Sequence, residues 1–113
     1  MIGAEDGKRI STIVHFAAPA DWAEAEQIGS YAPSCLREEG FLHAATEEQI
    51  PGVIARHLQG HGPRVRLTLD CQALGDLIQW EWSDASGGLY PHVFGAIPLT
   101  AVVQSSAFDP DAA

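Results

Sequence analysis

Three short apolar runs in this chain each enclose a histidine: Ile13-Val14-His15-Phe16, Gly40-Phe41-Leu42-His43 and Tyr90-Pro91-His92-Val93-Phe94-Gly95. Runs of this kind read as strands with at least one buried face, so each imidazole is carried toward the interior. A buried polar ring costs free energy unless a partner satisfies it. The fold must therefore supply partners for three rings drawn from distant stretches of chain. Glu81, held between Trp80 and Trp82, is the candidate acid to join them. The pattern predicts one polar pocket set into an otherwise apolar small domain.

At 113 residues the chain has room for one core and not for two. Hydrophobic residues make up 46% and charged residues 19%, a balance that excludes wholesale disorder. No apolar run reaches the roughly 18–20 residues of a membrane span, and residues 1–9 lack the apolar segment of a secretory signal. The expected location is the cytoplasm. Six Lys plus Arg stand against fifteen Asp plus Glu, a formal charge of −9, which disfavours nucleic acid or an anionic membrane as partner. Arg56, Arg64 and Arg66 gather along the chain with His57 and His61, a cluster that reads as solvated surface or, alternatively, as a phosphate receiver. Cys35 and Cys71 are too few and too far apart for a disulfide framework or a zinc knuckle, and read as reduced packing thiols.

Residues 1–9 read as a flexible leader, 10–104 as a single globular domain and 105–113 as a polar tail. Residues 10–16 read as the first strand. Pro19 opens a helix that Gly29 closes, Tyr31-Ala32-Pro33 is a connector, and residues 34–39 form a turn ended by Gly40. Residues 41–45 are a second strand. Thr46-Glu47-Glu48-Gln49 matches the capping-box pattern and opens a helix to about Leu58, buried along Ile50, Val53, Ile54 and Leu58 and bent or restarted at Pro51. Residues 64–70 alternate as a strand, and residues 71–75 make a helical turn. In residues 78–82, Ile78, Trp80 and Trp82 share one face and Gln79 and Glu81 the other. Residues 89–95 are interrupted by Pro91 and read as an edge strand or an ordered loop. Residues 99–104 are the last strand. Helices early and strands late predict an α+β domain.

His15, His43, His92 and Glu81 come from four different elements, and four readings compete. In a nucleotide-glycoside pocket the imidazoles bind ribose hydroxyls or an amide while the carboxylate stabilises an oxocarbenium-like centre. Phe16, Phe41, Trp80, Tyr90 and Phe94 then offer flat surfaces for a base or a nicotinamide. A three-histidine metal site is the second reading, but no HxH or HxxxH pair is present on these elements, so no metal is expected. The third is a non-catalytic module that binds a small ligand in the same cleft. The fourth leaves each histidine bonded to a main-chain carbonyl, with Glu81 facing water. Serine-nucleophile motifs, phosphate-binding glycine loops and dinucleotide fingerprints are absent.

Taken in order, Ile13-Val14-His15, Asp21-Trp22, the stretch from Gly40 to Ile50, Trp80-Glu81 and the stretch from Tyr90 to Leu99 closely resemble the bacterial and plant family filed as domain of unknown function 952. The likeness covers residues 10–104, and the segments around His43 and His92 are its specific parts. That family looks like a compact, divergent relative of the ADP-ribosyltransferase-like fold, the class that includes the tRNA 2′-phosphotransferases. The resemblance implies split, curved antiparallel sheets with two short helices packed alongside, and a cleft for NAD or an ADP-ribose-like moiety. It implies that His15 contacts the nicotinamide ribose, that His43 lines the nicotinamide site and that Glu81 acts on the ribose 2′-hydroxyl. With His92 these form the expected catalytic set. Phe16, Phe41, Thr46, Trp80, Tyr90 and Phe94 form the expected cofactor-binding set. The family commonly has Cys-Ser where this chain has Ala44-Ala45, and often Tyr in place of Phe94, which makes the pocket here less polar.

The expected function is binding of NAD or a related ribonucleotide, with ADP-ribosyl or glycosyl transfer as the reaction. A non-catalytic nucleotide-binding module is the alternative, and a three-histidine metal site comes third. A small-molecule nucleotide is the expected partner. Nothing in the sequence points to a protein partner.

Overall fold

Strand alternation places the core. The computed structural model describes residues 10–112, so the expected leader, residues 1–9, lies outside the described residues. In chain order the elements are β1 (Thr12–Ala17), α1 (Pro19–Ile28), β2 (Ser30–Tyr31), α2 (Ser34–Glu39), β3 (Leu42–His43), α3 (Ile50–Val53), β4 (Arg64–Asp70), α4 (Cys71–Leu74), β5 (Ile78–Ser83), β6 (Gly88–Val93), β7 (Ile97–Pro98) and β8 (Val102–Phe108). Three antiparallel sheets result: β1-β4-β8, the short ribbon β2-β7, and β3-β6-β5. The inner faces of the two larger sheets share one core. Ile13 and Ala17 of β1 and Leu67 and Leu69 of β4 are buried with Ala25 of α1, Leu42, Val93 and Ile97. The domain is α+β, as its pattern of elements predicts.

The two larger sheets are joined by residues 42–45. Leu42 and His43 pair with Val93 and His92 of β6, and two residues later Ala45 exchanges both backbone hydrogen bonds with Val14 of β1, at 2.7 and 2.9 Å. Pro91 marks the crossing. The Ala44 N–H donates to the Pro91 carbonyl at 3.1 Å, but proline has no N–H to return, so the ladder stops and the chain leaves for β1. This corrects the expectation of an edge strand or loop around Pro91. The strand is the central one of its sheet, and the proline is tolerated because its missing donor falls where β3 departs.

Local signals were accurate where a turn residue carried them. α1 ends at Gly29 in a left-handed conformation (φ 94°), whose N–H donates to the Ala25 carbonyl at 2.7 Å, and Gly40 closes α2 in the same way (φ 89°). The helix expected to run to Leu58 is instead three short pieces. A 3₁₀ turn (Glu47–Gln49) leads into α3, and a π turn (Ile54–Leu58) follows. The Gln49 side chain accepts the Thr46 N–H at 3.0 Å, the half of the capping box that depends on Gln49. Of the expected stripe, Ile50 and Leu58 are buried while Val53 and Ile54 are half-buried. The described residues therefore carry four short α-helical segments, where the resemblance implies two short helices.

The C-terminal end also departs from expectation. A 3₁₀ turn (Leu99–Ala101) precedes β8, which continues to Phe108 because seven-residue β4 offers partners that far, with Arg64 opposite Phe108. Beyond it Pro110 is buried, and the Asp111 carboxylate accepts the Gly60 N–H at 3.0 Å. Residues 105–112 are thus part of the domain, and their polarity reflects an exposed sheet edge. Tyr31, expected in a connector, belongs instead to the ribbon β2-β7, whose two-residue strands carry no alternation to read. Among the described residues no helix is long and apolar enough to cross a membrane.

Leu67 is fully buried, so Leu67→Ala is expected to destabilise the fold by about 2–5 kcal/mol. Leu89→Ala, at a half-exposed position, should stay within about 0.5 kcal/mol. Urea midpoints at constant m-value measure both.

Candidate functional site

Register alone brings the polar side chains together. In β3-β6-β5, His43 lies opposite His92, Gln79 opposite His92, and Glu81 opposite Tyr90. Residues directly opposite in an antiparallel sheet share a face, so all five side chains project from the side away from Leu42 and Val93. On that face Nδ1 of His92 is 2.6 Å from Oε1 of Glu81. Phe41 stacks on the His92 ring at 4.3 Å with a 21° interplanar angle, and the His43 ring meets His92 edge-on at 5.3 Å. Phe94 leans on Phe41 at 5.3 Å. Nε2 of His43 is 3.0 Å from Oε1 of Glu39, at the last turn of α2.

Two imidazole–carboxylate pairs therefore flank Phe41. They differ in access. The His92 side chain is 13% exposed and Glu81 48%, so the acid is open to solvent while the ring is largely covered. An ionised carboxylate only accepts hydrogen bonds, so a neutral His92 carries its proton on Nδ1 and presents a lone pair at Nε2. That tautomer can take a proton from a hydroxyl or a water.

His15 lies beneath this face and is buried. Its Nδ1 is 2.6 Å from the His43 carbonyl oxygen and its Nε2 2.7 Å from the Tyr31 hydroxyl. The carbonyl only accepts, so Nδ1 carries the hydrogen, and Nε2 must then accept from Tyr31. Desolvation lowers the His15 pKa from 6.5 to about 4, against the raising effect of the His43 carbonyl bond. Burial likewise pushes the Tyr31 hydroxyl pKa up. His15 is neutral at neutral pH with both nitrogens engaged. In this structure the ring that the resemblance assigns to the nicotinamide ribose is buried and holds the His43 backbone.

The remaining residues divide in the same way. Phe41, Tyr90 and Phe94 stand with the cluster. Phe16 projects from the face of β1 opposite His15 and packs on Phe108 at 5.0 Å, Trp80 lies on the other face of β5 opposite Pro91, and the Thr46 N–H is held by Gln49. These three do not line the site. Ala44 and Ala45, which follow His43, are both buried, so their side chains do not reach the exposed face.

A wall beside the face was not foreseen. Gln49 Nε2 donates to the Leu89 carbonyl at 2.7 Å, and Arg56, on the π turn, donates to the Tyr90 hydroxyl at 2.8 Å. The sequence gives Tyr31 and Glu39 no role at the site, and it offers Arg56 only as part of a basic cluster. Only Glu39, four residues before His43, left a signal, and the break at Gly40 obscured it. The basic cluster does not assemble, since Arg66 pairs with Glu47 while Arg56 reaches Tyr90. The three histidines share no common point either. Among the described residues no group of three or more His, Cys, Asp or Glu is arranged to hold a metal ion.

The family described as "Protein of unknown function (DUF952)" matches residues 16–105. Protein CC0527 from Caulobacter crescentus has a similar fold. Its crystal structure superposes with a TM-score of 0.76 at 23% identity, covering 86% of this chain and 85% of that one. Its solution structure gives a TM-score of 0.72 at 24% identity, covering 87% and 84%. No curated protein matches the chain.

The buried His15 carries a pH dependence whose sign is fixed. Between pH 6.5 and about 4 the unfolded chain binds a proton that the folded ring refuses, so stability is full above that window and falls through it on acidification, by about 3 kcal/mol from this group. Urea titrations across the window should give a shallower pH slope for His15→Phe than for wild type. Equal slopes would exclude a depressed His15 pKa. Tyr31→Phe strands the Nε2 acceptor in the interior and is expected to cost about 1–3 kcal/mol at pH 7 in the same measurement.

Proposed function

The chain belongs to the DUF952 family, a family of unknown function, and on that footing we propose that it binds NAD or a related ribonucleotide on the face formed by Phe41, His43, Glu81 and His92, and that ADP-ribosyl or glycosyl transfer is the reaction carried there. The observation that carries this reading is the half-exposed Glu81 carboxylate, hydrogen-bonded at 2.6 Å to an imidazole that Phe41 holds by stacking. Breaking a ribosyl C1′–N bond sends the electron pair to the departing base and leaves positive charge on the sugar, which a fixed carboxylate stabilises. Glu81 suits that task and has a second oxygen for a ribose hydroxyl. Nε2 of His92 suits removal of a proton from the incoming hydroxyl or water. Phe41 and Phe94 offer ring surfaces for the base, and Arg56 beside Tyr90 offers a cation to the phosphates. The arrangement of two three-stranded sheets, offset and joined through the Val14–Ala45 pair, supports the further proposal of an ADP-ribosyltransferase-like fold.

Calorimetric titration with NAD and with ADP-ribose, alongside an assay for released nicotinamide, tests the proposal. Wild type should bind saturably and release nicotinamide. Glu81→Gln should lower release about a hundredfold or more while retaining binding, and Phe41→Ala should weaken binding. Binding without release identifies a non-catalytic nucleotide module. Absence of saturable binding to either compound overturns the proposal.

A further inference from the structure

Open strand edges recruit other strands, and folded proteins blunt them. Among the described residues the two larger sheets present four edges. β1 is covered at Val14 by Ala45, β3 is two residues long, and β8 is bulged against Thr68 and Leu69 and carries Gln104, Ser105 and Ser106. β5 has none of these protections. It runs six residues in unbroken register with β6, has no strand on its other side among the described residues, and contains no lysine or proline. Its one charged side chain, Glu81, is engaged by His92. Trp80 (41% exposed), Trp82 (62%) and cross-strand Leu89 (53%) form an apolar strip along this edge, on the face opposite the candidate site.

The hydrogen-bond phase of the edge follows from two observed bonds. The Pro91 carbonyl accepts from Ala44, so the Pro91 main chain faces β3, and the Phe94 N–H donates to the Leu77 carbonyl across the other side. Alternation then turns the main-chain groups of Gln79 and Glu81 toward β6 and those of Ile78, Trp80 and Trp82 outward.

We propose that β5 pairs antiparallel with β5 of a second copy of this chain, Trp80 lying opposite the partner's Trp80. This register makes Ile78 and the partner's Trp82 a hydrogen-bonded pair as well, which satisfies every outward main-chain group between them. It gathers four tryptophans on one face. On the other face it sets Gln79 opposite the partner's Glu81, an amide against a carboxylate, with no like charges opposed within the strand. A register centred on Glu81 would instead set it against the partner's Glu81. A register displaced by one residue would turn the aromatic strip to the wrong face. A register centred on Gln79 would leave the outward groups of Trp82 without a strand partner, so charge, face and hydrogen-bond satisfaction together select the Trp80-centred pairing. The product is a continuous six-stranded sheet in which the partner's Gln79 amide stands beside Glu81 of the site, a consequence independent of which ligand the site takes.

One strand edge with three apolar side chains falls short of the about 800 Å² per partner of a standard interface, so association is expected in the micromolar range. Beyond the strand ends Asp76 approaches the partner's Asp84, and the chain carries −9 overall, so salt should strengthen the pairing. Sedimentation velocity across a concentration series, at low and high salt, tests the proposal. Wild type should pass from monomer to dimer, at lower concentration in high salt, and Trp80→Lys should remain monomeric. Gln79→Lys should tighten the dimer several-fold and Gln79→Glu should loosen it several-fold, with circular dichroism confirming the fold of each. A wild type that stays monomeric at its highest soluble concentration overturns the proposal, and so do Gln79 variants that associate alike.

Discussion

Residues 42–45 hydrogen-bond to β6 at one end and to β1 at the other, and the buried His15 ring secures the crossing by donating its Nδ1–H to the His43 carbonyl while accepting from Tyr31. This junction is what the rest of the domain depends on. The carbonyl would otherwise sit unpaired where β3 leaves its sheet, at the free-energy cost of a buried unsatisfied acceptor. Either protonation state of His15 can donate to this carbonyl, but only the neutral ring, which burial favours, also accepts the Tyr31 hydroxyl at Nε2, so the electrostatics of one ring and the connection of two sheets are a single physical problem.

The histidines consequently serve different ends although the sequence presents them alike. His15 is consumed by the fold. His43 and His92, on paired positions of neighbouring strands, face outward and each takes a glutamate. The two strands that bury Leu42 and Val93 on one side must present His43 and His92 on the other, because side chains alternate. Packing thus delivers a preorganised acid–imidazole pair to the surface, and Phe41 covers it from above by stacking.

How much of this was legible depends on where each cause lies. α1, α2 and β4 were readable to within a residue because proline, glycine and strict alternation are local causes. β6 was misread because Pro91 argues against a central strand by a rule that holds only where a neighbour needs its N–H, and here β3 departs at that very point. The tail was misread because Ser105 and Ser106 look unstructured in sequence while β4 offers them partners. The aromatic set split along β-strand alternation. Trp80 was already placed on the face opposite Glu81, so its exclusion from the site was available from the sequence, whereas the packing of Phe16 on Phe108 was not.

By itself the amino-acid sequence determined the α+β character, the positions of most elements, the family, and the facts that three histidines enter apolar strands and that Glu81 opposes Trp80 across β5. These follow from period, turn chemistry and composition, which act over a few residues. Only the tertiary structure decided that His15 lies beneath the face while His43 and His92 lie on it, that Glu81 reaches His92, that Tyr31 belongs to the account at all, and that Arg56 reaches Tyr90. Hydrogen bonding between groups 11 to 34 residues apart made those choices, and it depends on the register and crossing of strands that no local pattern encodes.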